Sequence, residues 1–192
     1  MGLVRNLLAL IGLLALIAGG LGYYKLQQVV GQFDPAALTT YQELGEKLLE
    51  THNGAEATIW RQAVDEGVTP ETVEETMKFV ANEHNISAVG ELPLYKDIEA
   101  KTGKPYRYAK IFMFCNSLIA AHMLDYSDAF GAYLPCRIAL VEDKKGKLWL
   151  LTLNMDMMIY GGAPLPEDLK KEALKVKETI LDIMARGAKG SF

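Results

Sequence analysis

Residues 136–153 read CRIALVEDKKGKLWLLTL, and this stretch decides the fold. Two apolar, β-prone runs, Cys136 to Glu142 and Leu148 to Leu153, flank Asp143-Lys144-Lys145-Gly146, a loop whose length and glycine suit a β-hairpin. A hairpin makes at least part of the sheet antiparallel, and the core sheet is expected to centre on it. Immediately upstream, Tyr106 to Cys115 is the strongest further strand, aromatic and β-prone with Lys110 on one alternating set. It leads into a short helical stretch from Ser117 to Leu124. Downstream, Pro164 and Pro166 precede a helix in which Leu169, Ala173, Val176, Ile180 and Ile183 form one stripe. Glu167 and Asp168 suit the positive end of that helix, and Gly187 suits its stop.

Further towards the N-terminus, Ala55 to Val64 carries Ile59 and Trp60 in a strand-like run that ends in the turn signal Asp65-Glu66-Gly67. Thr69-Pro70-Glu71 opens a helix with Val73, Met77 and Val80 on one side, fading at His84-Asn85, and Ile86 to Leu94 reads as a short strand stopped at Pro93. Helices and strands interleave around a hairpin, so the expected class is α+β: a small, mainly antiparallel sheet packed by helices, preceded by one N-terminal transmembrane helix. No internal repeat or low-complexity segment appears.

That N-terminal helix is the loudest single signal. From Asn6 to Tyr24, nineteen positions carry no charge and are rich in Leu, Ile, Ala and Gly, with Arg5 before them and Lys25 after. Such a run is long enough to cross about 30 Å of hydrocarbon. Arg5 and the terminal amine precede it and the pair Tyr23-Tyr24 ends it, which puts the N-terminus in the cytoplasm and the domain on the periplasmic side of the cytoplasmic membrane. A cleaved signal peptide is the rival reading, with Leu7 to Ala18 as its apolar region and Ala18-Gly19-Gly20 as the small-residue site. The uncharged run continues past that site, which favours a single-pass anchor. Ala15 and Gly19, and Ala18 and Gly22, lie four apart, a spacing that permits close approach of another helix but is common by chance in such spans.

Asp34-Pro35 reads as an N-cap with proline at the first helical position, and Leu38, Tyr41, Leu44 and Leu48 recur at helical spacing until Gly54. This amphipathic helix lies against the domain, along the membrane surface or on a partner, core packing being the expectation. The chain thus divides into an anchor at 1–25, an amphipathic connecting helix at 26–54 and an α+β domain at 55–192.

Composition narrows the function. Twenty basic against 24 acidic residues leave a net charge of −4, without the basic stripe that gives nucleic-acid affinity, so no nucleic-acid partner is expected. There is no phosphate-cradling glycine loop with a lysine, no Gly-x-Ser-x-Gly elbow, no His-Glu-x-x-His, and no Cys-x-x-Cys. The missing Cys-x-x-Cys-His rules out covalent c-type haem. What remains is a set of soft or nitrogen side chains in the C-terminal half: Cys115, His122, Met123, Cys136, Met155, Met157 and Met158. Thiolate, thioether and imidazole together favour copper(I), or copper in an electron-transfer site, over hard cations. Their spacing matches no defined metal motif, and flexible core filling is the plainer role of methionine.

Cys115 ends one expected strand and Cys136 begins another. If those strands are antiparallel neighbours, both sulfurs lie at one edge of the sheet, within reach of a disulfide or a shared metal; a parallel crossover would put them at opposite edges. Arg137 would lower the Cys136 pKa only by pointing at the sulfur, and neighbours on a strand point to opposite faces. A lone histidine such as His122 is more often a surface residue than a ligand. Asp125, Tyr126 and Asp128 are available as a polar rim, though such residues are usually solvated.

Ile111-Phe112-Met113-Phe114-Cys115-Asn116, the run Leu134-Pro135-Cys136-Arg137 through Asp143, Gly146-Lys147-Leu148-Trp149 and the ending Gly187-Ala188-Lys189-Gly190 together resemble a bacterial and archaeal family known as domain of unknown function 302, from about Glu71 to Phe192. The resemblance implies a compact α+β domain and brings no established reaction. Anchored, cysteine-containing members resemble proteins of bacteria that oxidise sulfur compounds or run elaborate respiratory chains. The expectation is therefore an extracytoplasmic accessory or binding protein held in the lipid bilayer, a subunit of a respiratory or sulfur-oxidising membrane complex or a homo-oligomer. The alternative is a copper- or haem-binding or thiol redox protein using Cys115 and Cys136, with His122, Met155 and Met157 as further ligands. An enzyme acting on a small sulfur compound through a thiolate is the third reading, for which no activating group is identifiable.

Overall fold

The computed structural model describes residues 2–192, so the terminal amine of Met1 used in the orientation argument lies outside them. The chain runs α1 (Gly2–Val30), α2 (Ala37–Thr51), α3 (Gly54–Ala57), β1 (Ile59–Ala63), α4 (Pro70–Glu83), β2 (Ser87–Leu92), α5 (Leu94–Thr102) and β3 (Ala109–Cys115). It continues through α6 (Ser117–Tyr126), a 3₁₀ turn (Asp128–Tyr133), β4 (Cys136–Glu142), β5 (Leu148–Leu153), α7 (Asp156–Tyr160) and α8 (Glu167–Lys189). One sheet holds all five strands in the order β1-β5-β4-β3-β2, with every neighbouring pair antiparallel. The β4–β5 hairpin is its centre, as the sequence predicts.

The register explains where the core lies. Phe112 faces Ile138 across β3–β4, and Leu140 faces Leu150 across β4–β5. Because side chains alternate along a strand, Phe112, Phe114, Ile138, Leu140 and Leu150 share one face, and all are essentially fully buried. Helices α4 and α8 cover that face with Val73, Met77 and Val80 from one and Ile180 and Ile183 from the other. Each such side chain contributes about 1.5–3 kcal/mol by leaving water. Thr69 caps α4, its hydroxyl accepting from Thr72 N at 3.2 Å, and proline follows at the first helical position.

Several boundaries differ from the sequence reading, each for a local reason. Gly187 does not stop α8; it is buried inside it, where an added Cβ would come within 2.7 Å of Met77 Cγ. Its lack of a side chain lets α8 press against α4, and the left-handed terminator is Gly190, with φ +61°. Asp34 does not cap α2 directly: Ala36 holds the N-cap position, while the Asp34 carboxylate accepts from Ala36 N and pairs with Lys170 on α8. α2 ends not at Gly54 but at His52, in the left-handed conformation. The expected core packing of its stripe is overturned for Leu38, Tyr41 and Leu48, which are exposed, whereas Ala37 and Thr40 are buried. The short helices α3, α5 and α7 and the 3₁₀ turn are not among the expected elements, and α3 takes the first residues of the strand expected over Ala55 to Val64, so β1 begins only at Ile59.

α1 is long and apolar enough to cross a membrane: Val4–Val30 spans 27 residues with a mean hydropathy of 2.0, and its most apolar stretch is nowhere covered by the rest of the chain.

Candidate functional site

A cavity of about 60 Å³ lies at the end of the sheet where β3 and β5 finish and β4 begins. Several of the residues that line it are small: Ala120 on α6, Cys136 on β4 and Ala173 on α8. Local chemistry sets the walls. Asn116 caps α6, its Oδ1 accepting from Leu118 N at 3.1 Å and Ile119 N at 3.2 Å, so the helix starts directly off β3 and turns Ile119, Ala120 and Met123 inward. The 3₁₀ turn supplies Phe130 and Tyr133. Asn154, whose Oδ1 accepts from Asp156 N at 2.8 Å, opens α7 and places Met155 and Met158 on the cavity wall.

Antiparallel pairing of β3 with β4 settles the relation between the cysteines. Cys136 stands across from Phe114, one residue from Cys115, so the two cysteines lie at one end of the sheet on adjacent strands; both are among the residues around the cavity and both are free. Burial, with a smaller contribution from the neighbouring Cys115, pushes the Cys136 thiol up to about 11, the nearby Arg137 charge offsetting only part of this. Burial likewise raises Cys115. Neither is an activated thiolate at neutral pH.

Of the seven soft or nitrogen ligands singled out in the sequence, the cavity gathers Cys115, Cys136, Met123, Met155 and Met158. It leaves out His122 and Met157. His122 is exposed on α6, and its Nδ1 lies 2.9 Å from a Glu172 carboxylate oxygen, a hydrogen bond that raises the imidazole pKa. Met157 is half-buried, with its carbonyl accepting from Gly161 N at 3.0 Å. Asp125, Tyr126 and Asp128 are exposed; Tyr126 reaches the cavity only indirectly, its ring 6.0 Å from that of Phe130. Arg137 is exposed but also lines the cavity, and its carbonyl accepts from the buried Thr152 hydroxyl at 2.7 Å. Sequence reasoning missed Ile119, Phe130, Tyr133, Thr152 and Val176, which carried no signal beyond apolar patterning.

A second polar cluster has a structural explanation. Lys110, on the covered side of β3, lies 2.6 Å from Glu74 and 2.7 Å from Glu91, and Lys78 pairs with the same two carboxylates. Two cations meet two anions, so the group is neutral and fully paired. Burial alone would lower the Lys110 pKa, but the two carboxylates outweigh it and raise it, which keeps the ammonium charged.

Residues 60–187, more than half of the chain, match the family model described as Domain of unknown function DUF302. Helices α1, α2 and α3 precede the matched segment. A crystal structure described as uncharacterized conserved protein DUF302 from Bacillus stearothermophilus superposes with a TM-score of 0.54 at 16% identity, covering 67% of this chain and 97% of that one. At that identity the likeness is one of fold. No curated protein matches the sequence. The hairpin-centred sheet, the motifs along β3 to β5 and the family match agree: this chain belongs to the DUF302 family.

Proposed function

We propose that the protein is a single-pass, membrane-anchored accessory or binding protein with its domain on the periplasmic side, serving as a subunit of a respiratory or sulfur-oxidising complex. The cavity between β3, β4, α6, α7 and α8 holds its ligand. The observation that supports a binding role is the cavity itself, apolar, walled by four separate elements besides the sheet and lined by the small residues Ala120, Cys136 and Ala173. An apolar space of this kind takes a small apolar molecule. The raised thiol pKa values support binding over nucleophilic chemistry.

A second reading is supported by the sulfur content of the lining. Two cysteines and three methionines among the residues around the cavity supply soft donors of the kind suited to copper(I). Metal binding would displace the thiol protons, so uptake would strengthen as pH rises. Haem is less well supported, since the one histidine of the set is held by Glu172 away from the cavity.

One experiment separates these readings. Ala173→Leu adds bulk to the α8 wall, and Cys115→Ser with Cys136→Ser removes the thiols at nearly unchanged volume. Xenon under pressure, an apolar probe small enough for about 60 Å³, would raise the Tm of the wild type and would leave that of Ala173→Leu unmoved. Copper(I), titrated against a chromogenic chelator, would bind the wild type and not the double serine variant. Equal responses from wild type and Ala173→Leu to both probes would remove the cavity as the binding site.

A further inference from the structure

We infer that α2 is an interfacial helix: its exposed apolar stripe lies in the headgroup region of the bilayer crossed by α1, and it seats the domain on that surface in one orientation. This rests on the membrane-anchored reading above.

The helix shows three faces. At about 100° per residue, Ala37, Thr40, Leu44, Lys47 and Thr51 fall together on the side turned to the domain. Thr39, Gln42, Glu43, Glu46 and Glu50 fall on the far side. Between them lies a stripe of Leu38, Tyr41, Gly45, Leu48 and Leu49, in which Leu38 is 73% exposed and Leu49 is 77% exposed. Leucines this bare along the whole length of a helix are a contact surface without its contact.

The occupant follows from where the chain comes from. At about 1.5 Å per residue, the 27 residues of Val4–Val30 span about 40 Å, more than the roughly 30 Å of hydrocarbon, so α1 ends at headgroup level. Only residues 31–36 separate it from α2. They do not extend, because Gly31 N, Gln32 N and Phe33 N each bond back to carbonyls of the last α1 turn, at 2.9, 3.1 and 3.1 Å. The first turn of α2 is therefore close to lipid, and Val29, Val30 and Phe33, at the end of α1 and in the elbow, are exposed apolar residues too. The acidic residues point the other way, as in a helix lying in the interface plane, and Tyr41 is a residue type suited to that boundary.

The elbow is also fixed to the domain. Asp34 N donates to Gly162 O at 2.8 Å, the buried Asp34 carboxylate pairs with Lys170 of α8, and the Tyr41 hydroxyl donates to Gly161 O at 2.6 Å. Gly161 directly follows α7, the element that carries Met155 and Met158 on the cavity wall. The domain thus turns the α7 wall of its cavity towards the membrane, and the ligand class this favours is one that partitions into lipid.

The test uses the full-length chain in nanodiscs made with and without lipids brominated along the acyl chain. Leu49→Trp and Glu43→Trp are compared with the parent, whose Trp60 and Trp149 emission is subtracted. The expected result is blue-shifted Leu49→Trp emission that the brominated lipid largely quenches, with Glu43→Trp water-like and unquenched. Water-like Leu49→Trp emission overturns the inference. So does blue-shifted emission that brominated lipid leaves intact, which would mean that protein, a second copy or another subunit, covers the stripe. Alkaline carbonate extraction of the native chain is run alongside: release from the membrane would defeat the anchored reading itself, whereas retention with unquenched Leu49→Trp defeats only the interfacial helix.

Discussion

Alkylation of Cys136 gives the sharpest prediction about the site. With its thiol pushed up to about 11, roughly one part in a thousand is thiolate at pH 8, against about a quarter for an ordinary cysteine at about 8.5. That lowers the reactive fraction about 250-fold. A more basic thiolate is the better nucleophile, and a Brønsted slope of about 0.4–0.5 over these 2.5 units returns roughly tenfold. The net expectation is alkylation about 20-fold slower than in the unfolded chain, before steric burial slows it further. Iodoacetamide labelling at pH 8, read by peptide mass spectrometry at each cysteine with a guanidinium-unfolded control, measures this directly. Cys115, at the strand end and less buried, reacts first. Labelling of folded Cys136 as fast as in the unfolded control would refute the reasoning and revive a thiolate mechanism. The same shift has a stability consequence. The protonated thiol is the form the fold prefers, so its contribution is complete below the ordinary value of about 8.5 and is lost as pH rises through about 11, a change of roughly 3 kcal/mol. Cys136→Ala would flatten that alkaline decline in a urea titration series.

Three further outcomes follow from the packing. Gly187→Ala brings a Cβ to 2.7 Å from Met77 Cγ and 3.6 Å from Leu150 Cδ1; overpacking at about 1–3 kcal/mol exceeds the roughly 1 kcal/mol that alanine gains in helix propensity, so thermal denaturation should show a net loss. Lys170→Met leaves the buried Asp34 carboxylate with only Ala36 N as a partner and should cost about 2 kcal/mol, with faster proteolysis between residues 31 and 36. Burial alone would raise the Asp34 pKa, but the Lys170 ammonium and the Ala36 amide outweigh it. The carboxyl is thus held below its ordinary value, and the elbow should hold above the ordinary aspartate range and loosen as pH falls beneath it.

Much of the fold was legible because β4 and β5 announce themselves: two apolar runs around Asp143–Gly146 leave little alternative to a hairpin, and Thr69-Pro70 marks a helix start by a mechanism that the structure reproduces. Gly187 misled because a helix-ending glycine and a helix-crossing glycine look alike until the partner, here Met77, is known. Leu38, Tyr41 and Leu48 misled because periodicity reports a stripe without saying what covers it. The site was half legible. Residue softness picked out Cys115, Cys136, Met123, Met155 and Met158, which converge on one cavity, but it equally picked out His122 and Met157, which do not. Nothing in one dimension shows that Glu172, on another helix, holds His122 aside. Several of the residues around the cavity are small, and Ala120 and Ala173 carry no signal as letters.

The most direct test of the central claim is a native mass spectrum of the full-length protein released from its own membranes in mild detergent, with copper quantified on the same sample. The wild type should carry a bound non-protein mass, a small lipid-soluble molecule or near-stoichiometric copper, that is missing from Ala173→Leu. A bare, metal-free polypeptide in both would contradict it.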